Sequence, residues 1–202
     1  MSLHQAAPTL ILASGSPRRQ ELIRLLGLPV EVVPSNVDED TPEDWTPQRI
    51  VEELAHRKAL SVTEQLAGRA SVDSIVVGSD TIVVLDNEVM GKPRDTEDAI
   101  RMLELLSGRT HEVYTGVSCV RVSDGETVTS HRVTRVRMRS LTAEQISRYV
   151  ATGEPNDKAG AYGIQEIGAL LVESIDGCYF NVVGLPVSLL SEMLEKYGIS
   201  TP

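Results

Sequence analysis

The stretch from Ser74 to Pro93 constrains the fold most, because it places a carboxylate between two buried apolar segments. The β-branched runs 75–77 and 82–85 flank the polar step 78–81, and short runs of this kind predict buried strands. A carboxylate within such a run is costly to bury without a partner. We therefore predict that Asp80 lies at a break between two strands and faces a cleft, where it meets a cation or a reacting water. The alternative is a turn aspartate bound by backbone N–H groups.

The chain then returns through Asp86 and Asn87 and brings Lys92 close behind on the next strand. One carboxylate and one ammonium on adjacent strands suit chemistry on a phosphorylated substrate. A surface lysine with no such role is the simpler interpretation of Lys92 when this stretch is taken alone.

The N-terminal part predicts a strand, a tight loop and a helix. An apolar run at 9–13 is followed by Ser14, and Ser16 and Pro17 form a typical N-cap and first helical residue. A glycine-containing loop that opens a helix offers N–H groups to an anion. Arg18 and Arg19 stand in the first turn, where cations are unfavourable, so either an anion binds between them or both are solvated.

Two further candidates follow in the first half. Asp38, Glu39 and Asp40 form an acidic loop that is either solvated or the source of one metal carboxylate. Residues 47–67 have the apolar spacing of an amphipathic helix. Lys58 stands close to its apolar stripe, so it either points into a cleft or extends along the surface to water.

In the second half, we predict a helix from Asp95 to about Leu106, a β-hairpin formed by 113–121 and 127–139, and a capped helix from Thr142. Residues 152–165 form a long glycine-rich polar loop, and loops of this length in a compact domain are usually functional or disordered. Its small residues together with Asp157, Lys158, Tyr162 and Gln165 favour a binding function. A second hairpin over 169–183 and a last helix over 187–197 complete the prediction.

Composition limits the classes of function. The net charge is −10 and aromatic residues make up only 3% of the chain, which opposes a nucleic-acid or membrane-surface binder. Cys119 and Cys178 lack zinc spacing and predict two reduced thiols. The first residues lack the basic and apolar regions of a signal peptide, and no run approaches a membrane span. We expect one domain, 1–202, in the cytoplasm.

Six blocks of the sequence, in order, resemble the Maf family of nucleoside triphosphate pyrophosphatases. The resemblance covers nearly the whole chain and is closer to the branch that acts on dTTP and UTP, because of the Ser-Pro-Arg-Arg loop, Thr81 and Gln165. Glu166 departs from the family pattern, which has a small residue there, and it places a negative charge beside Gln165. The blocks are 12–22, 78–81, 91–94, 106–113, 157–165 and 181–186.

The resemblance implies an α/β fold with a mixed twisted sheet flanked by helices, in two lobes around a central cleft, similar to Maf and ITPase proteins. It implies cleavage between the α and β phosphates with a divalent cation, Mg²⁺ or Mn²⁺. Asp80 matches the proton acceptor, and Glu39 matches a second acid that binds the metal or orients water. Lys58 and Lys92 match phosphate-binding lysines.

The same resemblance implies that Ser14, Arg18 and Arg19 grip the phosphates or the base. It also implies that Thr81 and Gln165 contact a pyrimidine edge. Family members are often homodimers, and the family is linked to septum formation.

Two alternatives remain at this point. One is the 7-methyl-GTP pyrophosphatase branch, and the other is a non-catalytic, nucleotide-binding regulator of cell division.

Overall fold

The computed structural model describes residues 8–66 and 74–202. Strands and helices alternate through the first half, and the second half adds longer strands. The strands are β1 (Leu10–Leu12), β2 (Val30–Val32), β3 (Ile75–Leu85), β4 (Glu88–Met90), β5 (Thr110–Arg121), β6 (Thr127–Met138) and β7 (Val172–Asp176). The helices are α1 (Pro17–Arg24), α2 (Pro47–Gln65), α3 (Thr96–Leu106), α4 (Ala143–Val150), α5 (Tyr179–Val183) and α6 (Val187–Glu195).

The strands form one seven-stranded mixed sheet. Its order is β2-β1-β3-β5-β6-β7, and β4 pairs with β3 outside this path. β1 is parallel to both β2 and β3, whereas β4 and β7 are antiparallel to their partners. The predicted fold class, a mixed α/β sheet flanked by helices, is therefore confirmed. The central cleft predicted with it stays a prediction.

The described residues divide into two compact units. The first unit comprises the described residues up to Asp80, together with Gly116–His131 and Val187–Pro202. The second unit comprises Thr81–Thr115 and Arg132–Pro186. Each unit has its own aliphatic core. The core around Ile11, Val62 and Val76 belongs to the first unit, and a larger one around Leu103, Val136 and Met138 belongs to the second. A single domain over 1–202 stays a prediction.

Helix starts follow the predicted chemistry. Ser16 caps α1 with Pro17 as its first residue, and Asp95 caps α3. Thr142 and Gln145 form the predicted capping box of α4. These caps satisfy N–H groups that have no partner inside the helix. Helix α2 ends at Gln65, and the predicted end at Ala67 lies outside the described residues.

The predicted strand break at 78–81 is wrong, because β3 runs unbroken from Ile75 to Leu85. Gly78 keeps an extended backbone and leaves room for a neighbouring helix. Asp80 lies within the strand, where it is buried against a cation rather than turned out of a break. An ion-paired carboxylate does not require the strand to end.

The predicted second hairpin is also wrong. β7 pairs with β6, with Val136 opposite Ile175, and the segment after Gly177 forms helix α5 instead of a returning strand. Asn181 is buried within α5, and its side-chain amide donates to the carbonyl oxygen of Val113 at 2.9 Å. This tertiary contact outweighs the β propensity of the apolar residues around it. The first hairpin, β5 with β6, is confirmed.

The predicted loop at 152–165 contains short 3₁₀ turns at Glu154–Asp157 and Ala159–Ala161, and a third follows at Glu166–Leu170. In the described parts of the chain, no helix is both long enough and apolar enough to cross a membrane.

Candidate active site

Helix α2 packs unusually close to β3, and this contact sets the geometry of the candidate site. A Cβ atom on Gly78 would lie 2.1 Å from the carbonyl oxygen of Ala55. Only glycine permits this approach of helix backbone to strand backbone. Lys58 stands one helical turn after Ala55, and Asp80 stands two residues after Gly78 on the same strand. The close packing therefore brings these two side chains together.

Lys58 joins two carboxylates. Its Nζ lies 2.6 Å from Asp80 Oδ1 and 2.6 Å from Glu39 Oε1. The side chains of Lys58 and Asp80 are each only 10% exposed, whereas that of Glu39 is 53% exposed. The pair is thus largely withdrawn from water, and Glu39 approaches it from the solvent side. A buried charge of this kind is stable only when its partner is present.

The start of helix α1 contributes to the same unit. The hydroxyl of the buried Ser14 accepts from the Ser16 backbone N–H at 3.2 Å and from Arg19 Nη1 at 3.5 Å. Burial lowers the pKa of the Arg19 guanidinium, and the charge of Asp80 opposes that shift. Arg18 lowers the same pKa by repulsion, and Glu39 raises it. Arg19 therefore lies within electrostatic range of Asp80, Glu39 and Arg18.

Six of the predicted site residues thus meet in the first unit. Three are cations, two are carboxylates and one is a hydroxyl that faces Arg19. The cations and the hydroxyl of this group can bind an anion, and a carboxylate then lies beside the bound anion. The six residues are Ser14, Arg18, Arg19, Glu39, Lys58 and Asp80.

The carboxylates of the candidate site are the donors that a divalent cation would need. Across residues 8–66 and 74–202, no group of three or more His, Cys, Asp or Glu side chains could hold a metal ion. Glu39 and Asp80 nevertheless reach a common point, since both bind the same ammonium nitrogen. Mg²⁺ is usually bound by one or two carboxylates together with substrate phosphates. The two carboxylates fit a cation that a nucleotide helps to hold.

The remaining predicted residues lie in the second unit. Lys92 is exposed and Gln165 is half-buried. Lys158 Nζ donates to Asp157 Oδ1 at 2.9 Å and to the carbonyl oxygen of Glu154 at 2.6 Å. The ammonium group is therefore hydrogen-bonded to acceptors of its own loop. That Lys92 and Gln165 act together with Asp80 stays a prediction.

Thr81 belongs to a hydrogen-bonded chain that fixes the direction of its hydroxyl. Thr115 Oγ1 donates to the carbonyl oxygen of Asn181 at 2.8 Å. A hydroxyl has one proton, so in the 2.9 Å contact between Thr81 Oγ1 and Thr115 Oγ1 the donor must be Thr81. The proton of Thr81 is therefore directed toward Thr115, and its oxygen can only accept elsewhere.

Glu166 has a backbone conformation that explains why a small residue was expected. Its φ is 52°, in the left-handed region that favours glycine. Where the family pattern has a small residue, this chain therefore has a glutamate in a backbone conformation that glycine adopts more easily. Its side chain is exposed.

Three residues that were not predicted support the site residues, one by direct contact and two through a neighbouring residue. Arg57 appears in the sequence only as a mid-helix cation, yet it binds the loop that carries Glu39. Thr115 and Asn181 lie on a strand and a short helix and orient Thr81. The spacing of Glu53 and Arg57 at i and i+4 is a signal for an ion pair. Nothing in the sequence indicates the contacts of Thr115 or Asn181.

Comparisons with known proteins identify the family. A family model described as "Maf-like protein" matches residues 9–197, and the chain belongs to the Maf family. A protein of Acetivibrio thermocellus named "dTTP/UTP pyrophosphatase" is 51% identical over 193 residues, which cover 95% of this chain and 96% of that protein. A protein of Moorella thermoacetica with the same name is 51% identical over 190 residues, covering 94% and 95% of the two chains.

A solved structure titled "The structure of the Staphylococcus aureus Ham1 protein" is similar with a TM-score of 0.49 and 15% identity, and the match covers 93% of this chain and 98% of that chain. This similarity is too low to support an inference.

Proposed function

We propose that this chain hydrolyses dTTP and UTP to the monophosphate and pyrophosphate. The observation that carries the proposal is the meeting of Glu39 and Asp80 at Lys58 Nζ, each at 2.6 Å, beside Arg19. The proposal is also supported by the relatives of about 50% identity that are named dTTP/UTP pyrophosphatase. Modified pyrimidine nucleotides belong to the same proposed substrate class.

In the proposed reaction a water attacks the α-phosphorus. A new bond forms between the water oxygen and that phosphorus, and the bond to the oxygen bridging the α and β phosphorus atoms breaks. The bonding electrons leave with pyrophosphate, and the proton of the water passes to Asp80. Asp80 suits this part because it is buried, acceptor-only when ionised, and fixed by Lys58.

The cations hold the triphosphate and offset the charge that develops on it. Lys58 is fixed between two carboxylates, and Arg18 and Arg19 begin a helix whose N-terminus favours anions. We propose that Lys92 adds a further positive charge at the phosphates. Such charge stabilisation is usually the largest single contribution to catalysis of this type.

A divalent cation, Mg²⁺ or Mn²⁺, is part of the proposal, and Glu39 and Asp80 would hold it with oxygens of the nucleotide. When bound, it would neutralise phosphate charge and lower the pKa of a coordinated water. Because hard carboxylate oxygens are the donors, these ions suit the site better than metals that prefer sulfur or imidazole.

The base is proposed to contact Thr81 and Gln165, with Asp157 and Lys158 nearby on the same loop as Gln165. Thr81 presents an acceptor, and the N3–H group of uracil or thymine is a donor. This match is supported by the hydrogen-bond direction from Thr81 to Thr115. The acceptor N3 of cytosine would face the same oxygen unfavourably.

The test is product analysis with a nucleotide panel and the Asp80→Asn variant. Purified protein with Mg²⁺ or Mn²⁺ should convert dTTP and UTP to monophosphate and pyrophosphate, and Asp80→Asn should reduce turnover by more than about 100-fold because the amide cannot take the proton. Asp124→Asn makes the same change in an exposed turn and should remain active. An active Asp80→Asn enzyme would remove Asp80 from the mechanism.

The panel also separates the alternatives. Preference for 7-methyl-GTP would assign the chain to the other branch, and binding with every nucleotide left intact would favour a non-catalytic regulator of cell division. A cytoplasmic location, a homodimer and a part in cell-division arrest complete the proposal, on the strength of the family resemblance.

A further inference from the structure

We propose that Arg57 is a positioning residue that holds Glu39 at the active site through the backbone on both sides of it. The inference rests on the proposed function, in which Glu39 helps to hold the divalent cation. Arg57 does not touch the Glu39 side chain in the contacts described. It acts on the loop that presents the carboxylate.

The guanidinium of Arg57 binds the carbonyl oxygens of the two residues that flank Glu39. Arg57 Nη1 donates to the carbonyl oxygen of Asp40 at 2.9 Å and to that of Asp38 at 3.4 Å. One charged nitrogen thus bridges the residue before Glu39 and the residue after it. Hydrogen bonds from a charged donor are about twice as strong as neutral ones.

The loop itself needs such a contact. Residues 33–42 have no regular secondary structure, and the Glu39 side chain is 53% exposed. A mobile carboxylate on an exposed loop loses conformational freedom when it binds, and that loss weakens binding. The turn is tightened locally because the Asp40 backbone N–H donates to Asp38 Oδ1 at 2.9 Å. Arg57 then fixes the tightened turn to helix α2.

Arg57 and Lys58 are consecutive residues of helix α2, and they bind different parts of the Glu39 loop. Arg57 binds the backbone around Glu39, while Lys58 Nζ binds its carboxylate at 2.6 Å. The helix therefore holds both the chain and the side chain of the same residue. Since Lys58 also binds Asp80, the backbone contact sets where Glu39 stands relative to the proposed proton acceptor.

Arg57 is in turn fixed by its own neighbours. Its Nε donates to Glu53 Oε1 at 3.1 Å, one helical turn earlier. Its guanidinium carbon lies 5.7 Å from the centre of the Trp45 ring, and that of Arg49 lies 4.2 Å from the same ring. Both arginines therefore contact Trp45, but the described contacts with the carbonyls around Glu39 belong to Arg57. Arg49→Met is a matched control for Arg57→Met.

The first test measures the loop without catalysis. Amide hydrogen exchange should become at least about tenfold faster in residues 35–44 of Arg57→Met, and should stay as in the parent protein in Arg49→Met. Equal exchange of this loop in the parent and Arg57→Met proteins would overturn the inference, whatever the activity of the enzyme.

The second test is a double-mutant cycle with Glu39→Gln, with kcat and KM for dTTP measured separately. Arg57→Met should lower kcat about tenfold in the parent protein and less than about twofold in Glu39→Gln, because the group it positions is then already lost. Arg57→Lys, which retains a charged donor, should recover part of the loss.

The outcomes separate the two proposals. A fully active Glu39→Gln enzyme would show that the part proposed for Glu39 is wrong. An impaired Glu39→Gln enzyme in which Arg57→Met causes a further, independent tenfold loss would overturn only the positioning inference. A melting temperature for each variant shows whether a loss comes from unfolding.

Discussion

His111 is a buried histidine in the second unit whose surroundings favour the neutral ring. Its Nε2 lies 2.7 Å from the hydroxyl of Tyr162, whereas its buried Nδ1 has no hydrogen-bond partner among the described residues. Burial lowers its pKa to about 4, from an ordinary value of 6.5. Protonation would place a charge where only one ring nitrogen is paired.

This shift predicts a loss of stability in acid. Between pH 6.5 and 4 the unfolded chain binds a proton at this site that the folded chain does not, so the free energy of unfolding should fall as the pH falls through this range. Below about pH 4 both states are protonated and this contribution stops changing. The loss should approach about 3 kcal/mol, since one pKa unit corresponds to about 1.4 kcal/mol.

Urea unfolding of the parent protein and His111→Gln at pH 7.5, 6 and 5 checks this prediction. The variant should be less stable at pH 7.5 but should change less as the pH is lowered. Parallel pH dependences for the two proteins would mean that His111 is not the group responsible.

Thr115 is expected to influence base selection without touching the base. In Thr115→Val the Thr81 proton loses its acceptor, so the Thr81 hydroxyl can turn and donate to an acceptor such as N3 of cytosine. The ratio of kcat/KM for UTP to that for CTP should fall by about tenfold, the value of one hydrogen bond of about 1.4 kcal/mol. Thr129→Val removes a hydroxyl paired with Ser118 in the other unit and should leave the ratio unchanged. An unchanged ratio in Thr115→Val would contradict the assigned direction.

At the scale of elements, the contact between α2 and β3 connects packing to the proposed chemistry. A methyl group at Gly78 would meet the Ala55 carbonyl oxygen at 2.1 Å and the Ala59 nitrogen at 2.7 Å. These are backbone atoms, so the helix itself must move. Movement of α2 would carry Lys58 away from Asp80.

Gly78→Ala should therefore lower both stability and turnover. We expect a loss of about 2–3 kcal/mol in the free energy of unfolding, measured by urea titration, and a lower kcat at temperatures where the variant is still folded. Gly91→Ala is the control for stability, because among the described residues no heavy atom, apart from those of its chain neighbours, lies within 4 Å of the added methyl group. Equal stability of the two variants would contradict the close packing.

Local chemistry made several elements predictable. Ser16 and Pro17 start α1, and the Asp86–Asn87 turn leads into β4, because both signals act over a few residues. The unbroken β3 was not predictable in this way. Its buried Asp80 depends on Lys58, which is 22 positions away in sequence, and no local pattern reports that pairing. The helix at α5 likewise depends on Asn181 reaching Val113.

The candidate site was predictable only in part, because contacts between distant residues leave no local pattern in the sequence. Local pattern singled out Asp80, Lys58 and the acidic loop that contains Glu39, the family resemblance implied their roles, and the structure brings these three together. Arg57 was missed because its contacts are with backbone carbonyls, which every residue has. A side chain that recognises backbone leaves no complementary residue type in the sequence.

For the molecule as a whole, the charge distribution matters more than the total charge. The chain has a net charge of −10, which repels a triphosphate. In the first unit, however, Lys58 binds both carboxylates, Arg19 lies within electrostatic range of them, and Arg18 lies within electrostatic range of Arg19. A local group of cations can attract an anionic substrate that the overall charge disfavours, especially with a divalent cation bound to the phosphates.

The central claim is that Asp80 and its cations direct water to the α-phosphorus of a pyrimidine nucleoside triphosphate. Hydrolysis of dTTP in ¹⁸O-labelled water with Mg²⁺, followed by mass spectrometry of the products, tests it most directly. The label should appear in the monophosphate and not in the pyrophosphate. Label in the pyrophosphate, or products that are a diphosphate and inorganic phosphate, would contradict the account.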